Sequence, residues 1–262
     1  MKTHQSVALL VQARTGSTRL PGKVLKEVAG RPILSWMLER LKNLHSIQTL
    51  AVITTEKPED DGIERLCYKE GVACFRGSEN DLLDRHFQAG LHFKAEAVIK
   101  VPSDCPLMDP AIVEKAVAIY RHNEFDYVSN LHPASWPDGM DVEVVDMNAL
   151  ETAWKEASKP FQREHCTPFI WDQPERFALC NMWYETGEDL SKTVRLTLDY
   201  PEDFQLIEAV MEKWLISSPG DYSLKAILKI LKDFPDLTQL NAKYAGSYWT
   251  DTFKKDLKTL QS

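Results

Sequence analysis

Residues 7–11 read Val-Ala-Leu-Leu-Val without a polar break, the pattern of a strand buried on both faces in a parallel sheet. Pro32 then opens a helical pattern in which Ile33, Met37, Leu41 and Leu44 recur at three- and four-residue steps, with proline in the first turn where its missing donor is harmless. Residues 50–54 predict a second strand, 58–70 a second helix, 72–75 a short third strand, and 81–94 a third helix with Leu82, Phe87 and Leu91 facing inward. Residues 97–101 predict a fourth strand and 110–120 the next helix. Alternation of this kind requires right-handed crossovers and a mainly parallel sheet covered by helices, an α/β fold.

The alternation weakens after Asn123. Residues 127–130 and 142–145 have strand patterns, divided by a loop with Pro133, Trp136, Pro137 and Gly139, and the strand order is expected to change there. Residues 147–157 and 161–171 predict helices, 177–183 and 194–198 have strand character, and 201–215 is a clear helical repeat. From Ser217 onward the pattern offers two short helices and an aromatic stretch, 244–253, expected on the surface of the same domain. No internal repeat, low-complexity segment or linker interrupts the chain, so its 262 residues are expected to form a single domain, 1–262.

Charge narrows the choice of partner. The net charge of −8 argues against general nucleic-acid binding, which needs a broad basic surface. Five cysteines, an odd count without a C-x-x-C pair, suggest neither a disulfide framework nor a zinc ribbon. The first apolar run is too short for a membrane span and lacks a signal-peptide cleavage pattern, so a cytoplasmic protein without membrane partners is expected.

Against this acidic background one stretch stands out. Residues 12–25, Gln-Ala-Arg-Thr-Gly-Ser-Thr-Arg-Leu-Pro-Gly-Lys-Val-Leu, follow directly on the first strand, and no acid occurs from Met1 to Lys26, where an even spread would place about four. Arg14, Arg19 and Lys23, with the hydroxyls and glycines between them, suit an anion such as phosphate. The stretch is not a P-loop, because five residues separate Gly16 from Gly22 and Val24 follows Lys23, and the dinucleotide fingerprint G-x-G-x-x-G is absent.

This loop resembles the signature of the sugar-activating nucleotidyltransferases, the cytidylyltransferases of the CMP-sugar synthetase (acylneuraminate and KDO) and SpsF-like spore-coat polysaccharide type. Four further blocks are similar to the same family: residues 77–85 (GSENDLLDR), 103–107 (SDCPL), 138–143 (DGMDVE) with 163–165 (REH), and 195–203 (RLTLDYPED). The resemblance implies a GT-A-like, Rossmann-related three-layer sandwich and transfer of CMP from CTP to an acidic or unusual sugar, of nonulosonic or octulosonic acid type, with release of pyrophosphate. It implies Mg²⁺ as cofactor, held by Asp104 and Asp199. Arg14, Lys23 and Asp104 are the implied catalytic residues, and Ala13, Gly16, Ser17, Arg19, Ser78 and Asp81 complete the implied nucleotide site with Arg14 and Lys23. The small sugar acceptor is placed on Asp138, Asp141, Glu143, Arg163, Glu164 and His165. Residues 131–190 are an implied acceptor-binding and homodimerisation subregion, and 217–262 a C-terminal helical extension without correspondence in the family.

Each carboxylate also has a plain structural role open to it. Asp104 fits an Asx-turn at a strand end, Asp199 a helix cap, and Ser78, Glu79 and Asp81 the cap of the third helix. The 138–165 groups could form an intrachain ion network on a dimer interface. Two other functions compete. A glycosyltransferase using a finished nucleotide sugar commonly carries D-x-D for its metal, and this chain has none. A catalytically silent nucleotide-binding protein would not need both carboxylates and all three cations.

Overall fold

The computed structural model describes residues 6–122, 124–247 and 249–260. Residues 1–5, Asn123, Tyr248 and 261–262 lie outside them, and with them part of the acid-free amino terminus and of the 244–253 aromatic stretch.

The elements run in chain order as β1 (Val7–Gln12), the short hairpin β2 (Glu27–Val28) and β3 (Arg31–Pro32), α1 (Ile33–Leu41), β4 (Thr49–Thr55), α2 (Asp61–Glu70), β5 (Ala73–Gly77), α3 (Leu82–His92), β6 (Ala97–Pro102) and α4 (Pro110–His122). They continue as β7 (Tyr127–Ser129), β8 (Glu143–Asp146), α5 (Met147–Glu156), α6 (Pro160–His165), α7 (Pro168–Trp171), β9 (Leu179–Asn181), α8 (Pro201–Ser217) and α9 (Leu224–Asp233). The large sheet of the described residues has the order β5-β4-β1-β6-β8-β7-β9. β1 lies parallel between β4 and β6, while β8 runs antiparallel to both β6 and β7.

Alternation along β1 builds the two cores. Val7, Leu9 and Val11 join the apolar cluster under α1, α2, α4, α8 and α9, whereas Ala8 and Leu10 join the cluster under α3, α5, α6 and α7. The result is a three-layer helix-sheet-helix sandwich. Sequence order reverses between β1 and β6, and it changes again beyond β6, where β8 inserts ahead of β7. The crevice at the carboxyl end of β1 and β6 is therefore the place where such sheets bind ligands.

Four expectations need correction. Leu91 is 54% exposed; the inward stripe of α3 is Leu83, His86, Phe87 and Gly90, and Gly90 packs against Met147 and Val98, so Leu91 falls one step past the buried face. Residues 161–171 are two short helices, because Cys166 adopts φ 74° and Pro168 restarts the chain as α7. Residues 194–198 form no ladder strand; they carry an isolated bridge, Asp138 to Arg195, and dock on Asp104 O through Thr197 Oγ1 and Leu198 N. The strand expected over 177–183 shrinks to the three residues of β9. No helix among the described residues is long and apolar enough to cross a membrane.

Candidate active site

Every predicted site residue except Ser78 lines one cleft of about 1960 Å³. Ser78 instead sits in the turn before α3, where its hydroxyl accepts from Asp81 N at 3.2 Å and its carbonyl accepts from Arg85 Nε at 2.7 Å.

The basic loop is held rigid by an acid from elsewhere in the chain. Asp60, buried at the start of α2, accepts from Thr15 N at 2.8 Å and Thr15 Oγ1 at 2.7 Å, and its other oxygen accepts from Thr55 Oγ1 at 2.5 Å. Gly22 N closes the loop onto Thr15 O at 3.0 Å, and Gly22 takes φ 65° to turn the chain into the 3₁₀ turn Lys23–Leu25. No local pattern marks Asp60, because it reaches Thr15 across 45 residues.

Lys23 ends at the centre of the site. Its Nζ donates to Asp199 Oδ1 at 2.9 Å, Asp104 Oδ2 at 3.2 Å and Leu198 O at 2.7 Å. Burial works against the ammonium, but Asp104 and Asp199 outweigh it and hold its pKa above the ordinary value. Burial likewise opposes the charge on Asp199, and Lys23, Arg19 and Arg195 together hold that carboxyl below its usual range. Arg19 reaches Asp199 at 3.3 Å and lies over the Tyr200 ring, 4.7 Å from its centroid. Arg14 is exposed and makes no ion pair among the described residues.

Asp199 faces the site because another acid caps α8. Asp203, fully buried, accepts from both Asp199 N and Tyr200 N at 2.9 Å, so the capping expected of Asp199 is performed one turn later. Asp203 also receives the Arg195 fork, Nε at 2.9 Å and NH2 at 3.0 Å. The same guanidinium reaches Asp138 at 2.8 Å and Asp199 at 3.4 Å. Asn241 completes the knot, donating to Asp203 Oδ1 at 2.8 Å and to Arg195 O at 3.1 Å. Arg195 and Asp203 belong to the 195–203 block, and their signal in the sequence is an arginine alone in an apolar run, which needs buried acids around it. Asn241 carried no such signal.

Gly139 sets how closely this segment approaches. Its φ is +102°, and a Cβ there would lie 2.5 Å from Leu196 C and 2.6 Å from Thr197 N. Gly139→Ala is therefore expected to lower stability by about 2 kcal/mol or more and to displace residues 195–199. Thermal melts check it, with Gly16→Ala, whose Cβ meets nothing within 4 Å, as the neutral control.

The other half of the cleft is a polar wall on the α3–α6 side. Lys100 and Glu143 pair across β6 and β8, and Glu143 Oε2 also accepts from Tyr127 OH at 2.6 Å and Thr167 Oγ1 at 2.5 Å. Burial pushes the His132 and His165 rings down to about 4, so both are neutral at physiological pH. Burial pushes the Asp138 carboxyl up to about 7 in spite of Arg195, and burial with Asp138 and Asp104 pushes Asp141 well above its ordinary value. Arg163 is engaged within the chain: its Nε and NH2 clasp Asp81 Oδ2 at 2.8 and 2.5 Å, and Asp81 caps α3 by accepting from Asp84 N at 2.8 Å. Glu164 is exposed at the rim.

The sequence matches the cytidylyltransferase family over residues 8–246. It is 30% identical over 236 residues to the spore coat polysaccharide biosynthesis protein SpsF of Bacillus subtilis, covering 88% of this chain and 95% of that one. It is 25% identical over 256 residues to 3-deoxy-manno-octulosonate cytidylyltransferase 2 of Hydrogenovibrio crunogenus, covering 87% and 98%. Among solved structures, a cytidylyltransferase of Leptospira borgpetersenii superposes with a TM-score of 0.83 at 33% identity, covering 90% of this chain and 98% of that one.

Proposed function

The chain belongs to the cytidylyltransferase family and is a CTP-dependent nucleotidyltransferase, and from that premise we propose that it transfers CMP to a hydroxyl of an acidic sugar of nonulosonic or octulosonic type, releasing pyrophosphate, for surface-polysaccharide synthesis. The observation that carries this reading is the position of Lys23, an ammonium from the basic loop seated between Asp104 and Asp199 in the cleft. The names of the B. subtilis and H. crunogenus relatives support the acceptor class.

Asp104 and Asp199 fit a magnesium ion. Both carboxylates reach one nitrogen, at 3.2 and 2.9 Å, so they are close enough to share one cation, and Mg²⁺ favours one or two carboxylates together with phosphate oxygens. When bound there, the ion would neutralise charge developing around the α-phosphate. The chain's own residues supply the rest. Arg14, Arg19 and Lys23 draw the β- and γ-phosphates against the loop, where backbone N–H groups complete the cradle, and they stabilise the departing pyrophosphate. Lys23 exchanges its contacts with the acids for contacts with phosphate as the nucleotide enters. His165, neutral, lines the acceptor half of the cleft, where Lys100 offers the two ammonium hydrogens that Glu143 leaves unused.

The test is pyrophosphate release with each of the four NTPs against a panel of nonulosonic and octulosonic acids. CTP is expected to support release at least about a hundredfold above ATP and GTP, the discrimination that paired polar groups around a base provide. No release with CTP across the panel, together with no CTP binding by calorimetry, refutes the reading.

A further inference from the structure

Resting on the acceptor assignment above, we infer that residues 250–259 form the outer wall of the acceptor pocket and select the polyol part of the acceptor sugar. This segment lies beyond residue 246, where the match to the family ends. It is nonetheless fixed across the cleft at both ends. On the near side Tyr244 stacks on Tyr200, centroids 3.8 Å apart and planes within 4°, and Asn241 is tied to Asp203 and Arg195. On the far side Asp172, at the end of α7, accepts from Lys258 N at 3.0 Å, Thr259 N at 2.8 Å and Thr259 Oγ1 at 2.9 Å.

Between these anchors the segment is pressed against the acceptor half. Phe253 stacks on Phe161 with centroids 5.0 Å apart and meets the His165 ring edge-on at 6.2 Å, while Leu257 is fully buried in the core under α6 and α7. Thr250, Asp251, Thr252, Lys254 and Thr259 line the cleft. Lys254 is paired with Asp251 at 2.6 Å, so the cleft-lining residues of the wall offer hydroxyls and a mutually compensated ion pair. Such a surface hydrogen-bonds a hydroxylated chain or ring, each lone pair and O–H finding a complement. The near anchor adjoins the triphosphate loop, since Arg19 lies over Tyr200, whereas the far anchor at Asp172 and the Phe253 contact lie on the acceptor side, and the wall is tested there.

The experiment measures initial rates of pyrophosphate release from CTP with 3-deoxy-manno-octulosonate, N-acetylneuraminate and glucose, taking the acceptor that the wild type uses best. Release by the wild type with none of them counts against the acceptor assignment itself. For the wall, Asp172→Ala and Phe253→Ala, both outside the cleft lining, are compared with wild type. The acceptor KM is expected to rise about tenfold while kcat and the CTP KM stay within about twofold, a split that general destabilisation does not produce. Asp172→Asn, which keeps an acceptor oxygen, is expected to recover part of the loss. An acceptor KM unchanged in both variants while hydrogen exchange shows residues 250–259 loosened overturns the inference, and so does a CTP KM that rises in step with the acceptor KM.

Discussion

Replacing Lys23 by alanine is expected to lower kcat for pyrophosphate release about a thousandfold, the upper range for removing one preorganised charge from a transition state. The CTP KM is expected to rise as well, since the proposed role gives the lysine contacts to the bound nucleotide and to the departing pyrophosphate alike. A second effect separates this residue from an ordinary phosphate ligand. Without the ammonium, Asp104 and Asp199 face each other with the cation they shared at 3.2 and 2.9 Å gone, and like charges at close range draw in a divalent ion. Magnesium without nucleotide should therefore raise the melting temperature of Lys23→Ala more than that of wild type. Wild-type turnover in this variant sinks the proposed role, and an equal magnesium response in both proteins refutes the shared metal position.

Arg195→Ala carries the largest expected stability loss. The guanidinium side chain is only 4% exposed and pairs with Asp203, Asp138 and Asp199, so its removal strands buried carboxylates. Breaking such an ion pair by deleting one partner costs about 3–5 kcal/mol, which for a chain of this size corresponds to a melting temperature lower by roughly 10 °C. Arg195→Lys keeps one charge but loses the fork that spans two acids, and should fall between the two. A shift below about 2 °C in Arg195→Ala is incompatible with a central role for this network.

The fold was legible wherever one rule dominated. The apolar run at 7–11 and the amphipathic stretches through residue 120 each matched an element, since burial on both faces or on one stripe leaves little choice of conformation. Legibility failed where tertiary contacts decide. Residues 194–198 have strand composition, yet their backbone is used to dock Asp138 and Asp104, with Leu196 N on Asp138 O at 2.6 Å and Leu198 N on Asp104 O at 2.8 Å. Cys166 breaks a helix that its neighbours' propensities would continue.

The candidate site divides in the same way. Arg14, Lys23 and Asp104 lie on loops that follow β1 and β6, and with Asp199 they line the cleft. Arg163 looked like a ligand-binding arginine, and the structure seats it on Asp81. Of the supporting groups, Asp60 and Asn241 leave no local pattern, because each holds a partner 38 or more residues away, whereas Asp203 holds Tyr200, Asp199 and Arg195 three to eight residues away and belongs to a helix-start pattern.

Asn241 has a consequence for how the enzyme comes into being. Its amide is buried against Arg195 and Asp203, residues made 46 and 38 positions earlier. A chain emerging from the ribosome can assemble the sheet and the basic loop first, but the acids around Lys23 lack their last brace until residue 241 has cleared the exit tunnel. The brace on Arg195 and Asp203 thus becomes available only after the residues it holds have been made.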